Sequence, residues 1–112
     1  MKAKSDIAII EKRVGEVAAL LKLLSHPHRL LIACELRNGE ASVGALEERV
    51  GAAQSNLSRD LARMKREGLV AARRESKLVY YRLADNRLAR VVDALCAAFG
   101  PFAPAKRKKI RK

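Results

Sequence analysis

The stretch "AQSNLSRDLARMKREGLV", residues 53–70, holds the densest set of side chains that could do chemistry. Leu57, Leu61 and Met64 recur at the i, i+4, i+7 spacing of a helix face turned toward a core. On the opposite side, at about 100° per residue, lie Ser55, Ser58, Arg59, Ala62 and Arg66, flanked by Arg63. Short hydroxyls and long guanidiniums without a large apolar group make a hydrogen-bond-donating, cationic surface. Gln54 and Asn56 at the helix start join the same candidate contact set. The remaining reactive groups are few: Cys34, Cys96, His26 and His28. No paired-carboxylate, Ser/His or phosphate-loop constellation is present, so the chain reads as a non-enzyme.

A cationic face implies an anionic partner only if the charge is concentrated there, and it is. The 112 residues carry a net charge of +12. Residues 1–53 contribute +1, residues 54–82 contribute +5, residues 83–105 are neutral, and the last seven residues add +6. On the second of these stretches Arg73, Arg74 and Lys77 extend the basic set beyond the helix. Such segregation is the footprint of a polyanion partner. With no Trp and aromatics at 4% of residues, the core must come from Leu, Val, Ile and Ala, which favours helices. One domain is expected at this length. The start "MKAKSDIAII" does not resemble a signal peptide, and no apolar run reaches membrane-spanning length, so a cytoplasmic protein is expected. Two cysteines do not make a disulfide framework.

The elements that must position these residues follow from spacing and punctuation. Residues 8–24 read as a helix with Ile10, Val14, Val17, Leu21 and Leu24 in a 3,4 seam that needs a partner. Pro27 sits at a first helical turn, and 28–37 is a largely buried helix ended by Asn38-Gly39. Ser42 caps a short helix over 43–50, stopped by Gly51. The basic helix covers about 54–67, with Gly68 as its left-handed terminus. "LVAARRES" and "KLVYYRLA" predict a hairpin turning near Glu75-Ser76-Lys77. A last helix, roughly 86–99, places Leu88, Val91, Val92, Leu95 and Phe99 on one face. Residues 1–100 thus form one domain, and "PFAPAKRKKIRK", residues 101–112, reads as a flexible basic tail. That tail either aids solubility or tracks phosphate.

The class is mainly α (α+β), in the order α-α-α-α-β-β-α. The short turn between the third and fourth helices, followed by a hairpin, makes a helix-turn-helix with a wing. In that arrangement the fourth helix enters the major groove of double-stranded DNA. Arg59 and Arg63 suit guanine O6/N7, while Ser55 and Ser58 suit closer base or phosphate contacts. Arg73, Arg74 and Lys77 on the wing suit phosphate or the minor groove.

The strings "LLSHPHRLLIACEL" and "SVGALEERVGAAQSNLSRDLARMKREGLVAARRESKLVYYRLAD", with the closing helix, resemble the ArsR/SmtB family of bacterial winged-helix repressors over about residues 17–99. The resemblance implies a homodimer through the first and last helices, bound to an inverted-repeat operator and released by an inducer. Three departures stand out. Ala53 replaces a common capping Ser, Arg59-Asp60 replaces a common Gln-His, and Ser76 stands where the wing turn often has Gly.

Many members of that family bind metal, but their familiar ligand patterns are missing. "ASVGA" has no Cys-x-Cys pair, and no His follows Asp85-Asn86-Arg87. His26 and His28 read as surface or capping groups, so neither a metal nor another cofactor is expected. Cys34 in "LIACEL" matches a thiol of the sulfur-responsive branch, the biofilm-growth and sulfide-responsive repressors. The second thiol of that branch falls at Gly100, one helical turn beyond Cys96. What the resemblance implies is sensing of an oxidant or sulfane sulfur by Cys34 and Cys96. The alternative is two small core residues with no redox role. Within the class, a metalloid-responsive or ligand-free repressor is a second reading. A nonspecific architectural DNA-binding protein is the reading from another class.

Overall fold

The computed structural model describes residues 4–100. The expected basic tail, 101–112, lies outside the described residues. Five helices and three short strands follow in the order α1 (Lys4–Leu24), α2 (Pro27–Arg37), β1 (Ala41–Ser42), α3 (Val43–Val50), α4 (Gln54–Arg66), β2 (Val70–Glu75), β3 (Leu78–Leu83) and α5 (Asn86–Phe99). The first strand corrects the expected order. Two residues are too few to carry an alternation signal, and β1 exists because Ala41 and Ser42 pair antiparallel with Tyr81 and Tyr80 of β3. The sheet order is therefore β1-β3-β2. α1 also begins at Lys4, four residues before the expected start at residue 8, since nothing in "KSDI" breaks a helix.

The local signals act as their chemistry requires. Pro27 occupies the first turn of α2, and His26 caps it by accepting the His28 N–H on Nδ1 at 3.2 Å. Ser42 Oγ accepts the Ala45 N–H at 3.2 Å to start α3. α3 ends at Gly51 in the left-handed region. α4 starts at Ala53 with no side-chain cap, so its opening amides are left for other acceptors. Its far end closes by the paired bonds Leu69 N–H to Met64 O and Gly68 N–H to Lys65 O, both 2.9 Å, with Gly68 at φ 78°. These are the 6→1 and 5→2 bonds that need a left-handed residue. They turn the chain directly from α4 into the wing.

The core is where α2, α3, α4 and α5 meet the base of the sheet. Ile32, Leu46, Leu57, Leu61, Met64, Leu88 and Val92 are fully buried there. α1 joins only through its last turns, by Leu20, Leu23 and Leu24. The rest of that helix stands off, which raises the radius of gyration to 16.0 Å, against about 13 Å for a compact chain of this length. The hairpin is buried at its root, Val70, and exposed from Arg73 to Leu78. Its two-residue tip holds Ser76 at φ 60°, the conformation that explains the frequent Gly of the resembled family.

A Cβ added at Gly68 would meet nothing within 4 Å, so Gly68→Ala tests the backbone alone. The expected loss of stability is about 1 kcal/mol in urea unfolding, from left-handed strain without a clash.

Candidate nucleic-acid interface

The orientation of α4 is fixed by its inner side. Leu57, Leu61 and Met64 have no exposed surface, and Asp60 joins them at 8% exposure. Sequence spacing puts residue 60 three positions after Leu57, on the buried face, yet an acidic residue there was not expected. Arg29 of α2 explains it. Its Nη1 donates to Asp60 Oδ1 at 3.2 Å, and its Nε donates to the Leu23 carbonyl at 2.7 Å. A buried carboxylate is tolerated only when so paired. One polar contact therefore ties α4 to α2 and to the end of α1.

With that side anchored, the outer side is free. Gln54, Ser55, Asn56, Ser58, Arg59, Ala62, Arg63 and Arg66 are all exposed. Arg59, Arg63 and Arg66 have no ion-pair partner among the described residues. On the wing Arg74 and Lys77 are exposed and likewise unpaired among the described residues. Three guanidiniums thus stand free on the outer side of α4 and two cations on the exposed part of the hairpin that follows it, among the described residues.

Arg73 departs from the expectation. Its Nε and Nη2 donate to the two oxygens of Glu40 at 2.8 Å each, and its Nη1 donates to Glu75 at 2.7 Å. The guanidinium also lies 4.8 Å from the Tyr80 ring centre. The hydrogen bonds from Arg73 hold the Glu40 carboxyl below its ordinary range. Two carboxylates neutralise Arg73, so it clips the wing to the segment before β1. The signal was missed because Glu40 is 33 residues distant, and only the β1–β3 pairing brings it alongside.

The two thiols lie on packed helices. Cys34 is buried in α2 at 3% exposure, and Cys96 is half-buried on α5 against the same core. Arg37, three residues after Cys34, donates to both oxygens of Asp93 at 2.7 and 2.9 Å. Asp93 lies three residues before Cys96. The two thiols thus lie on packed helices joined at the surface by that ion pair, with Cys96 near enough to act on Cys34. Burial first, then proximity to Cys96 and Glu35, pushes the Cys34 thiol up to about 12. Gly100, the position of the second thiol in the resembled branch, instead ends α5 with its N–H on the Cys96 carbonyl at 2.8 Å.

His26 is exposed and His28 half-exposed, as expected of capping and surface groups. The structure adds what spacing could not: both imidazoles stand beside Asp60.

Comparison with known proteins agrees with this geometry. Residues 26–72 match the model of the bacterial regulatory protein arsR family. The chain is 49% identical to the Biofilm growth-associated repressor of Agrobacterium fabrum over 90 residues, 80% of this chain and 77% of that protein. This chain belongs to the arsR family. It is a DNA-binding transcriptional regulator with a winged helix-turn-helix, and not an enzyme. The crystal structure of the transcriptional repressor BigR from Xylella fastidiosa superposes with a TM-score of 0.77 at 44% identity, over 88% of this chain and 97% of that one. A homodimeric winged helix-turn-helix DNA-binding domain from Mycobacterium bovis superposes at 0.68 with 31% identity, over 87% and 86%. No helix among the described residues is long and apolar enough to cross a membrane.

The distinction between free and engaged wing cations is measurable. Arg74→Gln or Lys77→Gln is expected to lower the slope of log K against log[salt] by about 1 for duplex DNA. Arg73→Gln is expected to leave that slope unchanged while lowering resistance to urea. Equal slopes for all three variants contradict the assignment.

Proposed function

We propose that this protein is a homodimeric repressor that reads an inverted-repeat operator through α4 and is released when Cys34 and Cys96 are oxidised by sulfane sulfur. The observation that carries the DNA-reading part is the division of α4 into a side seated on Leu57, Asp60, Leu61 and Met64 and an outer side of guanidiniums unpaired among the described residues. Arg59 and Arg63 read guanine edges. Ser55, Ser58, Gln54 and Asn56 lie near an uncapped helix start whose amides favour phosphate. Arg66, Arg74 and Lys77 add phosphate contacts.

Dimerisation is supported by what one chain leaves exposed. Ile7, Ile10, Val14, Val17 and Leu21 form a stripe along α1, and Phe99 at the end of α5 is 79% exposed. A groove of about 540 Å³ lies beside this stripe, lined by Leu20, Leu23, Leu69 and Val91. A second copy that covers the stripe removes a large apolar area from water. Two-fold symmetry then sets two α4 helices about one duplex turn apart, which matches an inverted repeat.

The thiol part rests on the packing of the helices that carry Cys34 and Cys96 and on the unequal exposure of the two thiols. Cys34 holds its proton and is shielded, so Cys96 reacts first. Its thiolate attacks the outer sulfur of a persulfide RS–SH, releasing RS⁻ and forming Cys96–S–SH. The Cys34 sulfur then attacks the Cys96 Sγ, forms the disulfide and expels hydrogen sulfide, which carries away the Cys34 proton. The bond joins α2 to α5 beside the Arg37–Asp93 pair. Since α5 borders the dimer face and α2 holds α4 through Arg29, the bond changes the separation of the two reading helices.

Two measurements test this reading. With an inverted repeat recovered by selection from random duplex, Arg59→Ala and Arg63→Ala are each expected to lose about 1–3 kcal/mol of discrimination over random DNA. Unchanged selectivity in a folded, dimeric double variant refutes it. For the thiols, mass spectrometry after persulfide treatment is expected to find Cys96 modified in Cys34→Ser, and Cys34 unmodified in Cys96→Ser. Both variants are expected to stay on DNA. Release of both variants by treatment rules out thiol sensing and leaves DNA reading intact.

A further inference from the structure

We infer that His26, His28 and Asp60 form a binding site for a divalent transition-metal ion that bridges the start of α2 to the inner side of α4. Each residue offers one ligand atom, and the three atoms lie within 4.8 Å of one another. Metal–nitrogen and metal–oxygen bonds of about 2.0–2.2 Å place tetrahedral ligand atoms about 3.3–3.5 Å apart. The difference is small enough for side-chain rotation to close it. Both imidazoles can rotate: His26 is exposed, His28 half-exposed, and their ring centres are 5.5 Å apart at a 54° tilt. Asp60 is held in place by burial. Pro27 sets the geometry between the histidines, because His26 is in an extended conformation (φ −87°, ψ 125°) and His28 is already helical.

The charge around the site selects the kind of ion. Arg29 takes one oxygen of Asp60, Oδ1, at 3.2 Å, and Oδ2 accepts no hydrogen bond among the described residues. The guanidinium is also tethered to the Leu23 carbonyl, so it stays beside the carboxylate when an ion takes Oδ2. Arg29 and the positive end of α2 both oppose a cation. A hard ion such as Mg²⁺ or Ca²⁺, which depends on oxygen ligands and negative charge, is rejected. Zn²⁺, Ni²⁺ or Cu²⁺ gains from two imidazole nitrogens and is accepted, with water completing the shell.

Binding has a local consequence. His26 Nδ1 accepts the His28 N–H as the cap of α2. A metal on Nδ1 uses that lone pair directly. A metal on Nε2 moves the single proton of the neutral ring to Nδ1. Either way the cap is exchanged for a metal bond, and α2 becomes attached to α4 through Asp60. The site therefore acts on the same α2–α4 junction that orients α4, without using either thiol.

The test uses full-length reduced protein with Co²⁺ as the probe, followed by visible absorption, and Zn²⁺ in thermal unfolding. One ion per chain and a Zn²⁺-dependent rise in Tm are expected. His26→Asn retains a capping side chain but lacks the imidazole, and with His28→Gln it is expected to weaken Co²⁺ binding roughly tenfold or more. The double variant Cys34→Ser, Cys96→Ser is expected to bind as the native protein does. The site is overturned by no Co²⁺ uptake at roughly 100 µM metal. It is equally overturned by undiminished uptake in folded His26→Asn and His28→Gln, or by uptake that disappears with the cysteines.

Discussion

The contact on which the rest of the molecule depends is the seating of α4 on α2. Leu57, Leu61 and Met64 give that seat its hydrophobic energy, but apolar packing alone leaves the rotation of a helix loosely defined. The Arg29–Asp60 pair removes that freedom. A carboxylate at 8% exposure needs its guanidinium, and Arg29 is itself held by the Leu23 carbonyl. Only one rotation of α4 satisfies Asp60 and buries the three apolar side chains together. In that rotation Arg59, Arg63 and Arg66 face solvent. The cationic outer face of α4 is thus the consequence of where one acidic side chain must go.

The same junction gathers the reactive side chains. α2 carries Cys34 on the side that meets α5, and its first turn carries His26 and His28 on the side that meets Asp60. A bond or ion made at either place would act on the helix that orients α4. Arg37–Asp93 holds the α2–α5 contact from the surface, where solvent weakens the pair. The thiols lie deeper, where a covalent link has greater effect.

α1 follows a different logic. Its C-terminal turn is core, and the rest presents an apolar stripe that no other element among the described residues covers. An isolated helix with this stripe would expose several isoleucines and valines to water at a cost that a small domain cannot easily bear. The stripe makes sense as one half of an interface. Such an interface would lie close to the seat of α4, since the helix ends at Leu24, directly before the turn that leads to Arg29.

Local chemistry fixed most of the elements in advance. Pro27, Ser42, Gly51 and Gly68 mark their boundaries, and the 3,4 spacing of apolar residues identifies both the seat of α4 and the stripe of α1. The exposed cations of α4 were legible for the same reason, because a helix has only two sides and leucine claims one. What required the tertiary structure were relationships between residues far apart in the chain. Glu40 reaches Arg73 only because β1, too short to show a pattern, pairs with β3. Asp60 meets Arg29 across 31 residues, and it stands beside His26 and His28 only after α2 and α4 have packed. Periodicity assigns a side chain to a face. Which charged group it meets there is decided by packing, since hydrophobic burial is non-directional and ion pairs form where the fold has already brought their partners.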